Sequence, residues 1–358
     1  MANNCTPNIQ AKLTDLYRQR RATPPTGVLD LAFSQANGAE VQAKMIQPNG
    51  KDSVYSITYA TASCDAPVDC DDFTCSGNGT DAGTLTTCDT FNSFDCKAMA
   101  TWENLPIASL RDLGSLEVMD VFAARLWDQM HKIKTAVAVE EITRLCAAAG
   151  CITTGTDTRL LKLTNALGAP NFSVDSDILA DFGDAGFGGS TPLLLGNREA
   201  LKFRKAYQAA GLDQAGLNLD RMTNFPIFYD KNIVEANCAP ETDGNGVLLA
   251  FLPGVYNLLS WSANAGMFAS RSNPERWDSI DPTRLIREGA TFSHTVVEDP
   301  ATGMLFDLNI VYEPKCQKWQ WAIKTYYKGY NLPLAGCKDS CFTGIIKYDV
   351  CPDVAPTC

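Results

Sequence analysis

The chain has 358 residues, a net charge of −11 and 45% apolar residues. That is enough apolar material for real cores in one large or two modest domains. The acidic balance excludes a protein that grips nucleic acid through its own basic surface. No stretch approaches the roughly 18 consecutive apolar residues of a helical membrane span.

Residues 1–38 read as a polar arm. The amphipathic segment Ile9–Arg21 is followed by Thr23-Pro24-Pro25-Thr26-Gly27, which cannot be helical. Such an arm has too little apolar surface to fold alone and is expected to lie against something else. Its first residues, MANNCTPNIQAKL, lack the charged-then-apolar pattern of a secretory leader.

From Ala39 to about Ala62 the pattern turns to period two, with VQAKMIQ and SVYSITYATA flanking a Pro48-Asn49-Gly50 turn. This predicts a β-hairpin with Lys51 at its tip. Residues 64–100 are rich in cysteine and poor in large aliphatics, so disulfides or a neighbour must order them.

Ser115–Ala149 contains no Pro and no Gly, and Gly150 follows at the natural stop. Met119, Phe122, Leu126, Met130, Ile133 and Val137 recur at helical spacing and define one apolar face. Glu117, Arg125, Asp128, Lys132, Glu140 and Glu141 are placed largely outside it. At 1.5 Å per residue the helix runs roughly 50 Å, several times the usual length. A thin, extended subunit needs such a rod and most globular domains do not; a long core helix of an α/β enzyme is the alternative reading.

Beyond it, the Gly/Asp-rich stretch Asp181–Ser190 reads as a loop, and Thr191–Gly196 (TPLLLG) as a buried strand. Asn197–Ala210 is expected as a helix with Ala200, Phe203 and Tyr207 on one face. Arg221–Val234 reads as strand and turn, and Gly246–Tyr256 as another buried strand, so this block is a compact α/β unit. Ala290–Val297 and Met304–Tyr312 flank a turn at Asp299-Pro300-Ala301-Thr302-Gly303, a second hairpin. Lys318–Tyr330 alternates strongly enough for a third long strand.

The chain has 14 cysteines, unusual without an export leader. Cys64, Cys70, Cys75, Cys88 and Cys96 crowd one polar stretch; Cys337, Cys341, Cys351 and Cys358 crowd the C-terminal end, with Cys316 upstream. Zinc prefers closely spaced pairs matched by a second pair, and only Cys337/Cys341 and Cys70/Cys75 come near. Disulfides are therefore expected among these ten, and free buried thiols at Cys146 and Cys238.

No nucleophile elbow, zinc-protease motif, phosphate loop or kinase signature is present. Asp175, Asp177, Asp181 and Asp184 lack calcium-loop spacing and read as a solvated loop. Asn78-Gly79-Thr80 reads as a turn. His131 reads as a helix-surface or satisfied-core residue, and His294 has no identifiable nucleophile partner. No catalytic residue, metal or cofactor is implied, and the chain is not expected to be an enzyme.

The order of these elements resembles that of the major capsid proteins of tailed bacteriophages, the HK97-type fold. The most specific local likeness is Pro192–Val234, where LLLGNREAL, a helix and FPIFYDKNIV resemble the family run "LL-N-R-x-x-L … (V/F)PI-x-x-(D/N)-x-x-(I/V)". The resemblance implies an α+β capsid fold with N-terminal arm, extended β-hairpin (E-loop), long spine helix in a peripheral domain, and an α/β axial domain. The implied divisions are arm 1–38, E-loop with Cys-rich insertion 39–100, and peripheral domain 101–180 with spine helix 115–149. They continue as axial domain 181–288, peripheral return strands and P-loop 289–335, and Cys-rich tail 336–358.

The resemblance further implies a structural protein of the virion that self-assembles, as hexamers and pentamers, into an icosahedral shell enclosing double-stranded DNA without binding it specifically. Assembly in the host cytoplasm, with portal, scaffolding and possible decoration proteins and no membrane, would follow; any scaffold is expected as a separate or removed protein. The hairpin tip Pro48–Lys51 and the P-loop tip Asp299–Gly303 become candidate intersubunit contacts. Some relatives crosslink an E-loop lysine to an asparagine of the next subunit, and Lys51 stands at that kind of tip. Disulfides among the cysteine clusters, some between subunits, would brace the shell. An encapsulin-like nanocompartment and a disulfide-rich bacterial surface protein are the alternative readings.

Overall fold

The structure is a computed structural model. It describes residues 9–19, 26–34, 42–47, 54–60, 86–91, 95–99, 105–106, 115–150, 159–163, 174–187, 191–201, 225–234, 237–240, 245–262, 292–313, 318–332 and 342–351.

The long uninterrupted stretch forms helix α3, Ser115–Ala148, 34 residues long. Its buried face includes Phe122, Leu126, Met130, Ile133 and Val137, as the spacing predicts. Ala123, Trp127, Ala138, Ile142 and Leu145 are buried as well, because several elements pack on the helix. Packed on it are α1 (Ile9–Arg18) and α2 (Gly27–Ala32) together with strands of the two larger sheets. A rod covered by several elements buries some of its polar positions too. Glu141, expected outside the apolar stripe, is only 3% exposed. It stands four residues after Val137, so helical spacing itself carries it inward.

The described strands form three sheets. The first holds β1 (Gln42–Gln47), β2 (Val54–Ala60) and β3 (Thr86–Phe91), paired antiparallel in that order. The second is built on β13 (Lys318–Asn331), whose length lets it serve two sets of partners. One edge pairs with β12 (Leu305–Glu313) and then β10 (Tyr256–Trp261); the other with β5 (Leu105–Pro106) and β4 (Asp95–Met99). β11 (Phe292–Glu298) closes the far side of β12.

The third sheet runs β6-β14-β9-β7-β8, with β6 Arg159–Lys162, β7 Leu193–Gly196, β8 Ile227–Tyr229, β9 Gly246–Phe251 and β14 Ile345–Cys351. The all-apolar runs LLLG and GVLLAF are fully buried in it, as strands covered on both faces must be.

Several expectations need correction here. The C-terminal stretch contributes β14, an inner strand of the third sheet, where a Cys-rich tail was expected. Ile345, Ile346, Tyr348 and Val350 are at most 1% exposed, and that apolar alternation required an inner position. Because β14 pairs with β9 and β6 with β14, the third sheet does not close within 181–288. The single strand expected over Gly246–Tyr256 is two: the chain turns after Phe251, and β10 enters the second sheet. Asp181–Asp184, read as loop, is the last turn of helix α4 (Val174–Asp184). The arm contains α2, whose Val28, Leu29 and Leu31 are wholly buried. The helix expected over Asn197–Ala210 lies mostly outside the described residues; its start is a turn in which Asn197 Oδ1 accepts from Ala200 N at 2.9 Å.

Candidate functional site

No catalytic cluster was expected, so the chemistry of interest lies where the elements meet and where they stand unpartnered. The first sheet is the clearest case of the second kind. Directly opposed residues of an antiparallel pair share a row. Its register groups Met45, Tyr55 and Phe91 in one row and Ala43, Ile57 and Asp89 in the row two residues on. The intervening rows hold Lys44, Ser56 and Thr90, then Gln42, Thr58 and Cys88. The sheet is thus apolar-leaning on one set of rows and polar on the other. It packs substantially on no other described element. Three strands with one apolar face are marginal until that face is covered.

The β11–β12 turn is the opposite case. Lys134 of α3 donates to Asp299 Oδ2 at 2.8 Å, with side chains 4% and 0% exposed. The same oxygen accepts Thr302 N at 3.0 Å and Thr302 Oγ1 at 2.6 Å, and Gly303 N donates to Asp299 O. Asp30 of α2 lies beside this pair. Burial pushes its carboxyl up, Lys134 opposes that, and Asp299 and Asp230 reinforce it. Arm, spine and hairpin therefore meet around one lysine. Of the candidate tip residues, Asp299 and Thr302 are buried, Pro300 is half-buried, and Ala301 and Gly303 are exposed.

A second junction pins the arm to the third sheet. Asp230, wholly buried just after β8, accepts Val28 N at 3.0 Å through Oδ2. Its Oδ1 accepts Asn232 N and Nδ2 at 2.9 and 2.8 Å. The carboxylate thus fills the free amide position at the start of α2. Gly27 is obligatory at this approach, because a Cβ there would run into Tyr229 O.

The third junction joins α3 to the second sheet. Buried Glu141 Oε2 accepts Arg144 Nη2 at 2.8 Å and the Tyr256 hydroxyl at 3.2 Å. Gly329 of β13 makes the room, since a Cβ there would overlap the Glu141 carboxylate. The preceding residue, Glu140, accepts from Lys97 of β4 and the Tyr327 hydroxyl. Burial raises the Glu140 carboxyl, but those two donors outweigh it and hold the group below its usual range.

The acidic group expected as a solvated loop sits on α4. Asp181 is buried, accepting from Arg159 and, at 2.9 Å, from the Tyr348 hydroxyl. Burial raises the Asp181 carboxyl, and these donors oppose it. Asp175, in the first turn, is pushed up to about 6 by burial. His131 is buried with its ring edge-on to Trp127 at 4.6 Å. His294 is placed in β11, opposite Asn309.

Cys146 and Cys238, expected as free thiols, are joined in a disulfide between the last turns of α3 and the turn after β8. Helix and turn converge there, which ninety residues of intervening sequence could not reveal. Cys351, among the expected disulfide residues, is buried at the end of β14 and also disulfide-bonded. Cys88 and Cys96 are placed in β3 and β4. Cys64, Cys70, Cys75, Cys316, Cys337, Cys341, Cys358 and the hairpin tip Pro48, Asn49, Gly50 and Lys51 lie outside the described residues. Among the described residues no group of histidine, cysteine and carboxylate side chains could hold a metal, and no helix is long and apolar enough to cross a membrane.

No role was assigned from the sequence to Lys134, Glu141, Asp230 or Asp30. A signal existed for the first two. Met130, Lys134, Val137 and Glu141 continue the apolar stripe at spacings of four, three and four.

No family model matches the chain, and no curated protein matches it. Solved structures do align with it. The capsid of Ralstonia phage GP4 covers 92% of this chain and 91% of its own, at 10% identity and TM-score 0.46. The mature capsid asymmetric unit of bacteriophage PhiM1 covers 88% and 86%, at 8% identity and TM-score 0.45. The capsid asymmetric unit of cyanophage A-1(L) covers 90% and 92%, at 10% identity and TM-score 0.45. The functional reading rests on the chain's own geometry.

Proposed function

We propose that the chain is a major capsid subunit of a tailed phage, of the HK97 type, which self-assembles into a closed icosahedral shell around double-stranded DNA. One observation carries this reading: a three-stranded sheet whose register collects Met45, Tyr55, Phe91 and Ile57 in one set of rows, and which packs substantially on no other described element. Copies of a shell subunit cover one another through such extensions, and closed symmetry repeats the contact around the assembly. The order of arm, hairpin, spine helix and returning strands supports it, as does a net charge of −11 that lets packaged phosphate slide past.

In this reading β1–β3 is the E-loop, lying across the next subunit, with Pro48–Lys51 at its tip. Ala301 and Gly303 present the exposed part of the P-loop turn to a neighbour. The β6-β14-β9-β7-β8 sheet is the axial domain, completed by the C-terminal strand. Hexamers and pentamers form the lattice, and portal, scaffolding and decoration proteins are its further partners.

Negative-stain microscopy and sizing of native material test the reading. Closed shells hundreds of ångströms across are expected. A monomer that never assembles, at high concentration or with phage co-proteins, would overturn it.

A further inference from the structure

We propose that Cys146 and Cys238 form a redox latch that locks the end of the spine helix to the turn anchoring the N-terminal arm, closing after the chain has folded. Cys146 is half-buried in the last turns of α3, and Cys238 is 4% exposed at the end of the turn that follows β8. Their Cα atoms are 5.8 Å apart across a sequence separation of 92.

Both sides of the junction are closed by bonds other than the disulfide. In the turn, Cys238 N and Asn237 N donate to Val234 O at 2.8 and 2.9 Å, and Asn237 Nδ2 donates to Asn232 O at 2.8 Å. At the helix end, Thr343 Oγ1 donates to Ala148 O at 2.8 Å and Gly150 N to Ile345 O at 3.0 Å. The two sides are also joined through β14, where Lys347 Nζ donates to Ala239 O at 2.6 Å, so hydrogen bonds other than the disulfide hold the two cysteines near each other.

The turn also leads to the arm. Asn232 is bonded to Asp230, and the other oxygen of Asp230 holds Val28 at the start of α2. Closing the disulfide fixes the spine end against the residues that hold α2. Opening it leaves that link to hydrogen bonds alone.

The closing step balances with a small-molecule disulfide as oxidant. The thiolate of half-buried Cys146 attacks the small disulfide and expels one thiol. The Cys238 thiolate then attacks the Cys146 sulfur and expels the second, so two electrons pass to the small disulfide. Excess small thiol reverses both steps. The closed loop also restrains the unfolded chain.

Hydrogen exchange by mass spectrometry on the full chain, oxidised and then reduced with thiols blocked, tests this. After reduction, amides of Val28–Phe33 and Asn237–Cys238 should exchange about tenfold faster while those of β12 and β13 hold. Reduction also opens the Cys351 disulfide, so a Cys146→Ala/Cys238→Ala chain is the control. It should show the faster exchange without reductant and no further change at Val28–Phe33 with it. Wild-type protection in that variant, or a remaining response to reductant there, would overturn the latch. If the variant does not accumulate folded, differential thiol labelling of the wild type decides. Cys146 and Cys238 becoming reactive under mild reductant, before global unfolding, is the expected result; reactivity only with global unfolding overturns the proposal.

Discussion

Lys134 of the spine helix and Asp299 of the β11–β12 turn form a buried ion pair, with Nζ 2.8 Å from Oδ2. The same carboxylate ties down Thr302, so one side chain both shapes the turn and docks it on the helix. A buried pair stabilises little against a well-packed apolar replacement, but removing one partner strands the other charge.

Asp299→Ala is accordingly expected to destabilise the unassembled chain by about 3–5 kcal/mol. Lys134→Met combined with Asp299→Leu should recover much of that loss. Denaturant unfolding of both variants checks it, and equal losses would mean that the turn's own bonds dominate.

Gly329→Ala should destabilise by about 1–3 kcal/mol, because the added methyl meets the Glu141 carboxylate in a packed interior. Shortening the neighbour as well, in Gly329→Ala/Glu141→Ala, should reveal a non-additive coupling in a double-mutant cycle. Strict additivity would show that the two residues do not touch.

Asp230→Ala removes the acceptor of Val28 N and both contacts to Asn232. About 1–3 kcal/mol is expected, from buried donors left unmade. Limited proteolysis should cut near α2 first, while the β11–β13 region resists.

Asp175 is half-buried, and its carboxyl titrates at about 6 instead of the ordinary 3.8. The folded state therefore holds this proton more tightly than the unfolded chain. Its contribution to stability is full below about pH 4 and declines as pH rises through 6. Asp175→Asn should raise the Tm at pH 7 and leave it nearly unchanged at pH 4. Asp30, Asp181 and Asp230 shift in the same direction, so the difference between variant and wild type is the quantity to read.

Local pattern alone determined the spine helix, the hairpin strands of β1–β2 and β11–β12, the long strand β13 and the buried runs LLLG and GVLLAF. Each depends on periodicity over a few residues, and burial of one face rewards that periodicity wherever the element ends up. Tertiary structure decided the rest. β14 became an inner strand because β6 and β9 arrive on either side of it, from residues 159–162 and 246–251. Cys146 found Cys238 because the helix end and the β8 turn converge, and Asp230 caps α2 across some two hundred residues of chain. Buried polar groups such as Lys134, Glu141 and Asp230 are tolerated only where a partner waits. That partner comes from a distant segment, so the tertiary fold, and not the local pattern, supplies it.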